Sequence, residues 1–292
     1  MYVNFSYIQN NPYIPKQRIK FDSEAFDKTF KLNVFRNVNM QYFKRMRHTK
    51  DFFQCNHYRT LPYIPMYSTY EELKSCLEKD TKLKNYFSNS VFSFSIHSAY
   101  SYNFFGVSHV EYIRDYFMKN LLLYEHMGIN KFLICNHLRY AKQAEAMQII
   151  AYLLTSVPRL TDAFCLENCE YFSDALDCLF FCESLGIPFI FDNLHNRING
   201  EYKLCTLSKR ITDTWSKHNN HVFAHYSEGD ATGKHGDKIV IEDLIEMIAA
   251  FKPYTDNLTI MIEVKNAKQA LNNFRIITQK RLNWSSWNQV TF

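Results

Sequence analysis

The feature that most restricts how this chain can fold is a recurrence: short apolar or aromatic runs return eight times, with stretches of helical spacing between them. The runs are Tyr2 to Ile8, Cys55 to Thr60, Val91 to His97, Lys131 to His137, Ala163 to Asn168, Ile187 to Asp192, His221 to Tyr226 and Leu258 to Val264. Several are apolar without alternation, as at Phe132-Leu133-Ile134-Cys135 and Phe189-Ile190-Phe191, which is the pattern of a strand covered on both faces. Helical spacing is found from Glu71 to Phe87, Ser108 to Met127, Lys142 to Leu154, Phe172 to Leu185 and Ile241 to Phe251. Gly128 and Gly186 stand where two of these helices need a left-handed C-terminal residue. Strands that alternate with helices make a parallel sheet, and eight such units close on themselves. The expected fold is α/β, a single (β/α)8 TIM barrel over 1–292 with a metal site at the C-terminal mouth of its strands. The segment from Asn10 to Asn56 is longer than one unit needs and is expected to hold a long loop as well as a helix.

Composition enters as a set of exclusions. At 47% hydrophobic and 22% charged the chain is neither disordered nor fibrous. No apolar run approaches the roughly 18 residues that cross a bilayer, and the first fifteen residues lack the basic start and apolar stretch of a signal peptide. A soluble, intracellular protein with no membrane partner is expected. Eight cysteines, none in a CxxC pair, predict free thiols in a reducing compartment. The net charge of +5 permits a polyanionic partner without requiring one. The basic run Lys44-Arg45-Met46-Arg47-His48 reads as an exposed helix face.

In a parallel barrel the functional residues sit at the C-terminal strand ends, and there the sequence concentrates its unusual side chains. Strand three ends in Ser95-Ile96-His97, strand four in Cys135-Asn136-His137, strand five in Leu166-Glu167-Asn168 and strand seven in His225-Tyr226-Ser227. Strand six ends in Asp192 and runs on to His195, strand eight ends in Ile262-Glu263-Val264, and His235 lies in the loop after strand seven. Five histidines and three carboxylates therefore meet at one mouth. A single buried carboxylate can be held by an ion pair, but three aimed into one space repel unless a highly charged cation neutralises them. Imidazole and carboxylate ligands without paired cysteines suit Zn²⁺ or Mn²⁺, and two or three ions could be held. Cys135 and Cys165 read as core, and Asn168 as either a supporting donor or a loop residue. Lys265 follows the last strand, where it could meet a phosphate.

These residues resemble the UV damage endonuclease family, which is grouped with endonuclease IV and the xylose-isomerase-like barrels. The resemblance runs through Tyr58-Arg59, Ser95-Ile96-His97, His137, Leu166-Glu167-Asn168 and Gly186-Ile187-Pro188-Phe189-Ile190-Phe191-Asp192-Asn193-Leu194-His195. It continues through His225-Tyr226-Ser227, Gly233-Lys234-His235-Gly236-Asp237-Lys238-Ile239 and Ile260-Met261-Ile262-Glu263-Val264-Lys265. The order of these motifs at matching barrel positions makes the signal specific.

The resemblance implies one metal ion held by His97, His137 and Glu167, a second by Glu167, Asp192, His225 and Glu263, and a third by His195 and His235. Glu167, His225 and Glu263 are the implied catalytic residues, and Mn²⁺ is the implied metal, with Zn²⁺ or Mg²⁺ as alternatives and no organic cofactor. The implied substrate is damaged duplex DNA, nicked immediately 5′ to a UV photoproduct or other distorting lesion to leave a 3′-hydroxyl, by a protein expected to be a monomer. Such enzymes draw the damaged nucleotides out of the stack. Tyr100 and Tyr102 are expected to stack in the gap, and Lys234 and Lys265 to meet phosphate.

The chain departs from the family pattern in three places. Relatives usually carry a lysine two residues before the strand-seven histidine, where this chain has Phe223; after the strand-three histidine they have Pro-Gly-Gln-Tyr, here Ser98-Ala99-Tyr100-Ser101; and Thr69 stands where some have a further histidine. An apurinic endonuclease of the endonuclease IV kind, a sugar isomerase or epimerase on the same barrel, and a non-catalytic DNA-binding relative are the alternative readings.

Overall fold

A computed structural model describes residues 1–8, 37, 57–60, 68–81, 85, 93–97, 110–127, 132–137, 143–171, 173–230 and 233–282. Eight parallel strands pair in chain order and close into a barrel: β1 (Tyr2–Ile8), β2 (His57–Thr60), β3 (Ser93–His97), β4 (Phe132–His137), β5 (Phe164–Glu167), β6 (Phe189–Asp192), β7 (His221–Tyr226) and β8 (Asn257–Ile262). β8 returns to β1 in a register that sets Tyr2 against Asn257 and Tyr7 against Ile262. Each strand falls inside, or within a residue of, one of the eight runs read from the sequence.

Around the barrel lie α1 (Tyr70–Lys79), α2 (Val110–Met127), α3 (Gln143–Ser156), α4 (Ala175–Leu185), α5 (Asn193–Ile198), α6 (Leu204–Thr214), α7 (Ile241–Phe251) and α8 (Ala267–Leu282). No described helix is long and apolar enough to cross a membrane. The helix expected over Glu71 to Phe87 ends at Lys79, because Asp80 leaves helical backbone at φ −95° and ψ 83°. Its N-terminus is fixed by a capping box in which Thr69 Oγ1 accepts from Glu72 N and Glu72 Oε2 accepts from Thr69 N. Thr69, marked in the sequence as a departure, thus acts here as a helix cap. At the end of α4, Gly186 adopts φ 64° and its N–H donates to Cys182 O, the left-handed cap expected there. Gly128 lies outside the described residues, as do most of Asn10 to Asn56 and the basic run at 44–48.

The core is formed where the helices cover the strands. All of Phe164–Glu167 and Phe189–Asp192 are buried. α7 turns Leu244, Met247, Ile248 and Phe251 inward, the three- and four-residue spacing of one helix face. Cys165, Cys178 and Cys182 are fully buried free thiols whose pKa values burial pushes up, so they behave as small apolar side chains. The core reading of Cys165 holds; the Cys135 side chain lies outside the described residues.

Among the described residues, aromatic rings pack together beside the starts of β6 and β7. Trp215, fully buried after α6, donates Nε1–H to Phe189 O at 2.8 Å. The Thr214 hydroxyl accepts from Phe189 N at 3.0 Å, so the first residue of β6 has both backbone groups satisfied. Phe223 packs on Trp215 with ring centroids 5.2 Å apart and stacks on His221 at 4.6 Å. Because β7 alternates in facing, Phe223 shares a face with His225, while Val222, Ala224 and Tyr226 face the helices. Phe223 is therefore part of an aromatic floor below the mouth.

Candidate metal centre

The strand ends deliver the mouth. Glu167 ends β5, Asp192 ends β6, His225 is the fifth residue of β7, and Glu263 directly follows β8. Glu167 and Asp192 have no exposure, His225 is 2% exposed and Glu263 6%. His225 Nδ1 stands 2.9 Å from Glu167 Oε1 and 3.3 Å from Glu263 Oε1. His97 and His137 end β3 and β4 at the same end of the barrel, with Cα of His137 paired in register to Glu167. Their side chains lie outside the described residues, as do Tyr100 and Tyr102.

His195 arrives by a route the sequence reading did not foresee. β6 stops at Asp192, as expected, and Asp192 Oδ1 accepts from His195 N at 2.8 Å and so caps a short helix, α5, that was not expected. One helical turn brings the His195 ring, 6% exposed, back over the carboxylates, with Nδ1 3.5 Å from Glu167 Oε1 and 3.8 Å from Asp192 Oδ1. Burial opposes a charge on this ring, but Asp192, Glu167, Glu170 and the Asn168 carbonyl outweigh it, and its pKa lies above the ordinary histidine value.

His235 comes from the β7–α7 loop. Its Nδ1 is 2.8 Å from Ser227 Oγ, and its Nε2 faces Glu263 Oε2 at 3.8 Å. The rings of His195 and His235 lie 6.5 Å apart. A bridge pairs Gly229 with His235, and Gly236 N donates to Glu228 O so closely that a Cβ at Gly236 would sit 2.8 Å from that oxygen. Glycine is required there by the close approach. Lys265, expected to meet phosphate, holds Asp230 Oδ2 at 2.9 Å and ties this loop to the segment after β8. Lys234 is exposed on the same loop, and its N–H donates to Asp230 Oδ1.

The supporting residues are more numerous than the sequence suggested. Asn168, fully buried, supports Asp192 and His195 and is not a loose loop residue. Asn193 Oδ1 accepts from Ser227 N at 2.8 Å, and Arg197 grips Glu228 through two hydrogen bonds of 2.9 and 3.0 Å while reaching Asp243 at 3.3 Å. Glu170 places Oε2 3.4 Å from His195 Nε2; its only signal in the sequence is a carboxylate three residues past Glu167.

Among the described residues two groups could hold a metal ion: Glu167 with Asp192 and His195, and Asp192 with His225 and Glu263, the ligand atoms of each lying within 4.8 Å of one another. Asp192 Oδ2 is buried and accepts no hydrogen bond from the described residues. A buried carboxylate oxygen left so is costly unless a cation takes it, so the residues present fit a metal centre.

A closed parallel barrel with histidines and carboxylates gathered at the C-terminal strand ends defines the class: a (β/α)8 barrel with a candidate metal centre at its mouth. The model of the UV-endonuclease UvdE family matches residues 113–291, and the chain belongs to that family. A UV DNA damage endonuclease of Clostridium perfringens (strain 13 / Type A) is 32% identical over 134 residues, 42% of this chain and 32% of that protein. One of Bacillus pumilus (strain SAFR-032) is 32% identical over 111 residues, 36% of this chain and 35% of that protein. The alignments thus span about a third of the length of these relatives. The crystal structure of SacUVDE superposes with a TM-score of 0.66 at 20% identity, over 96% of this chain and 99% of that one. A xylose isomerase domain protein from Planctomyces limnophilus superposes with a TM-score of 0.52 at 11% identity, over 97% of this chain and 99% of that one. Both likenesses concern the fold.

Proposed function

We propose that the chain is a metal-dependent DNA repair endonuclease, acting as a single barrel domain over 1–292, that hydrolyses the phosphodiester immediately 5′ to a UV photoproduct or similar distorting lesion and leaves a 3′-hydroxyl. The observation that carries the reading is the convergence of Glu167, Asp192, His195, His225 and Glu263 at one mouth in a chain of this family. The family's relatives are named for UV DNA damage.

Divalent ions, Mn²⁺ in this reading and two or three in number, would polarise the phosphodiester and supply a nucleophile from water near neutral pH. The protein's part is to hold them. Glu167, paired in register with His137 and close to His225, would be shared by two ions; His97 and His137 would complete one, and Asp192, His225 and Glu263 the other. His195 and His235 would hold the third. Asn168 and Ser227 fix the rings of His195 and His235 by bonding their Nδ1 atoms. Lys234 and Lys265 would meet backbone phosphates, and Tyr100 and Tyr102 would fill the gap left by extruded bases, at about 1 to 3 kcal/mol per stacked base.

The test is incubation of the purified chain and Mn²⁺ with a duplex carrying one cyclobutane dimer, the cut being located on a sequencing gel. A nick directly 5′ to the dimer is expected. Cleavage confined to an abasic site would favour the endonuclease IV kind of activity, and absence of any cut with metal bound would overturn the reading.

A further inference from the structure

The β5–α4 loop carries a carboxylate to which the ion sets above give no role. Glu170 is about one-tenth exposed, and its Oε2 lies 3.4 Å from His195 Nε2. The other ring nitrogen, Nδ1, is 2.9 Å from the carbonyl oxygen of Asn168. A carbonyl only accepts, so the ring hydrogen sits on Nδ1, and in the neutral ring Nε2 carries the lone pair. A lone pair and a carboxylate oxygen then face each other in a poorly hydrated space. The Cys169 thiol 3.6 Å from the same oxygen is a weak donor and brings no charge. Only positive charge between the two atoms makes this approach favourable.

The spacing suits a metal ion. Two ligand atoms each about 2.1 Å from one ion stand roughly 3.0 Å apart at an octahedral angle and roughly 3.4 Å apart at a tetrahedral one, so the observed separation falls at the open end of that range. Neutral imidazole with carboxylate is a donor set for a first-row divalent cation. His195 is assigned with His235 to the third ion, which would have the fewest protein ligands and, since the His235 side chain is 39% exposed, would be the outermost of the three.

We propose that Glu170 is a direct protein ligand of that outermost ion, together with Nε2 of His195. The assignment rests on the reading of the mouth as a metal centre, and it converts a two-ligand ion into a three-ligand one. It also makes the β5–α4 loop, through Glu170, part of the metal shell, so that Glu167 at the end of β5 and Glu170 in the loop that follows serve different ions.

The full chain, stripped by chelation, is titrated with Mn²⁺ alone and the bound ions are counted by electron paramagnetic resonance and calorimetry. Wild type and Glu170→Gln are compared, with Glu167→Gln as the reference for the centre itself and circular dichroism as the check of fold. Glu170→Gln is expected to lose the weakest ion, or to bind it about tenfold or more weakly, with the tighter ions unchanged. Equal counts and affinities in wild type and Glu170→Gln overturn the proposal and show that the positive charge is a proton on His195. If Glu167→Gln also leaves every ion in place, the metal-centre reading fails instead, so the two failures are distinguishable.

Discussion

Asn168 is bonded to the peptide groups of Asp192 as a neighbouring strand would be: its Nδ2 donates to Asp192 O at 2.9 Å and its Oδ1 accepts from Asp192 N at 2.8 Å. The backbone register of β5 and β6 stops at Glu167 against Ile190, and the Asn168 side chain extends the ladder to the residue that caps α5. Its own carbonyl then takes the His195 ring. Asn168→Ala would leave both peptide groups of Asp192 without partners inside the barrel, at a cost of about 2 to 4 kcal/mol. Urea unfolding of the metal-free chain should show that loss, and an unchanged midpoint would remove Asn168 from this role.

Glu167 is the carboxylate on which the others depend, since His225 and His195 both approach its Oε1. Glu167→Gln keeps the shape and removes the charge, so the fold should survive while Mn²⁺ affinity falls more than about tenfold and strand cleavage by roughly a hundredfold or more. Cleavage at the wild-type rate would contradict a shared ion.

The strands were legible because a parallel barrel covers each on both faces, and runs such as Phe189-Ile190-Phe191 need no alternation to be recognised. The helix α6 was not. It buries Leu207, Ser208, Ile211 and Thr212, and half of that stripe is polar because Thr212 Oγ1 returns its hydrogen to Ser208 O at 2.8 Å. A hydroxyl satisfied by its own helix can be buried without showing as an apolar position. α5 was hidden for another reason: Asp192 is both strand end and helix cap, so chain direction changes with no change in composition. Glu167, Asp192, His225 and Glu263 could be placed from strand ends alone, whereas Glu170 and the floor under Phe223 depend on how loops fold back, which spacing does not encode.

Thr69 supplies a simple check on the departures from the family pattern. With its hydroxyl in a capping box, Thr69→Ala should cost about 1 kcal/mol of stability. Thr69 precedes α1, and its hydroxyl is engaged by the helix that it caps. Bound metal, measured by atomic emission, should be unchanged; loss of an ion would mean that this position serves the centre after all.

The aromatic floor makes stability depend on pH. Burial, and then the neighbouring His218, push the His221 pKa down to about 4, while its ring stacks on Phe223 and bonds Thr259 Oγ1 at 2.8 Å. The unfolded chain has its ordinary value near 6.5. The folded state therefore favours the neutral ring: its contribution is complete above about pH 6.5, is lost as pH falls towards 4, and changes no further below that. The slope in this window is at most about 1.4 kcal/mol per pH unit. His221→Gln should flatten that part of the curve of melting temperature against pH, and an unaltered slope would show that other groups govern it.

Lys265 and Asp230 bear on how the mouth would receive DNA. The pair is exposed on the lysine side, so it contributes little to stability, and a phosphate could displace Asp230 from the ammonium. In the free protein Asp230 offsets a charge that the proposed DNA binding would use. Asp230→Asn is therefore expected to bind duplex DNA a few-fold more tightly and to steepen the dependence of log affinity on log salt by about one, while Lys265→Ala weakens binding and makes the dependence shallower by about one. The two variants should be compared by fluorescence anisotropy on a labelled duplex over a range of salt, with the lesion present and absent. Because a phosphate contact carries no sequence or lesion information, both shifts should be the same on the two duplexes. A loss of affinity in Asp230→Asn would show instead that Asp230 serves to hold the His235 loop in place and that Lys265 does not reach phosphate.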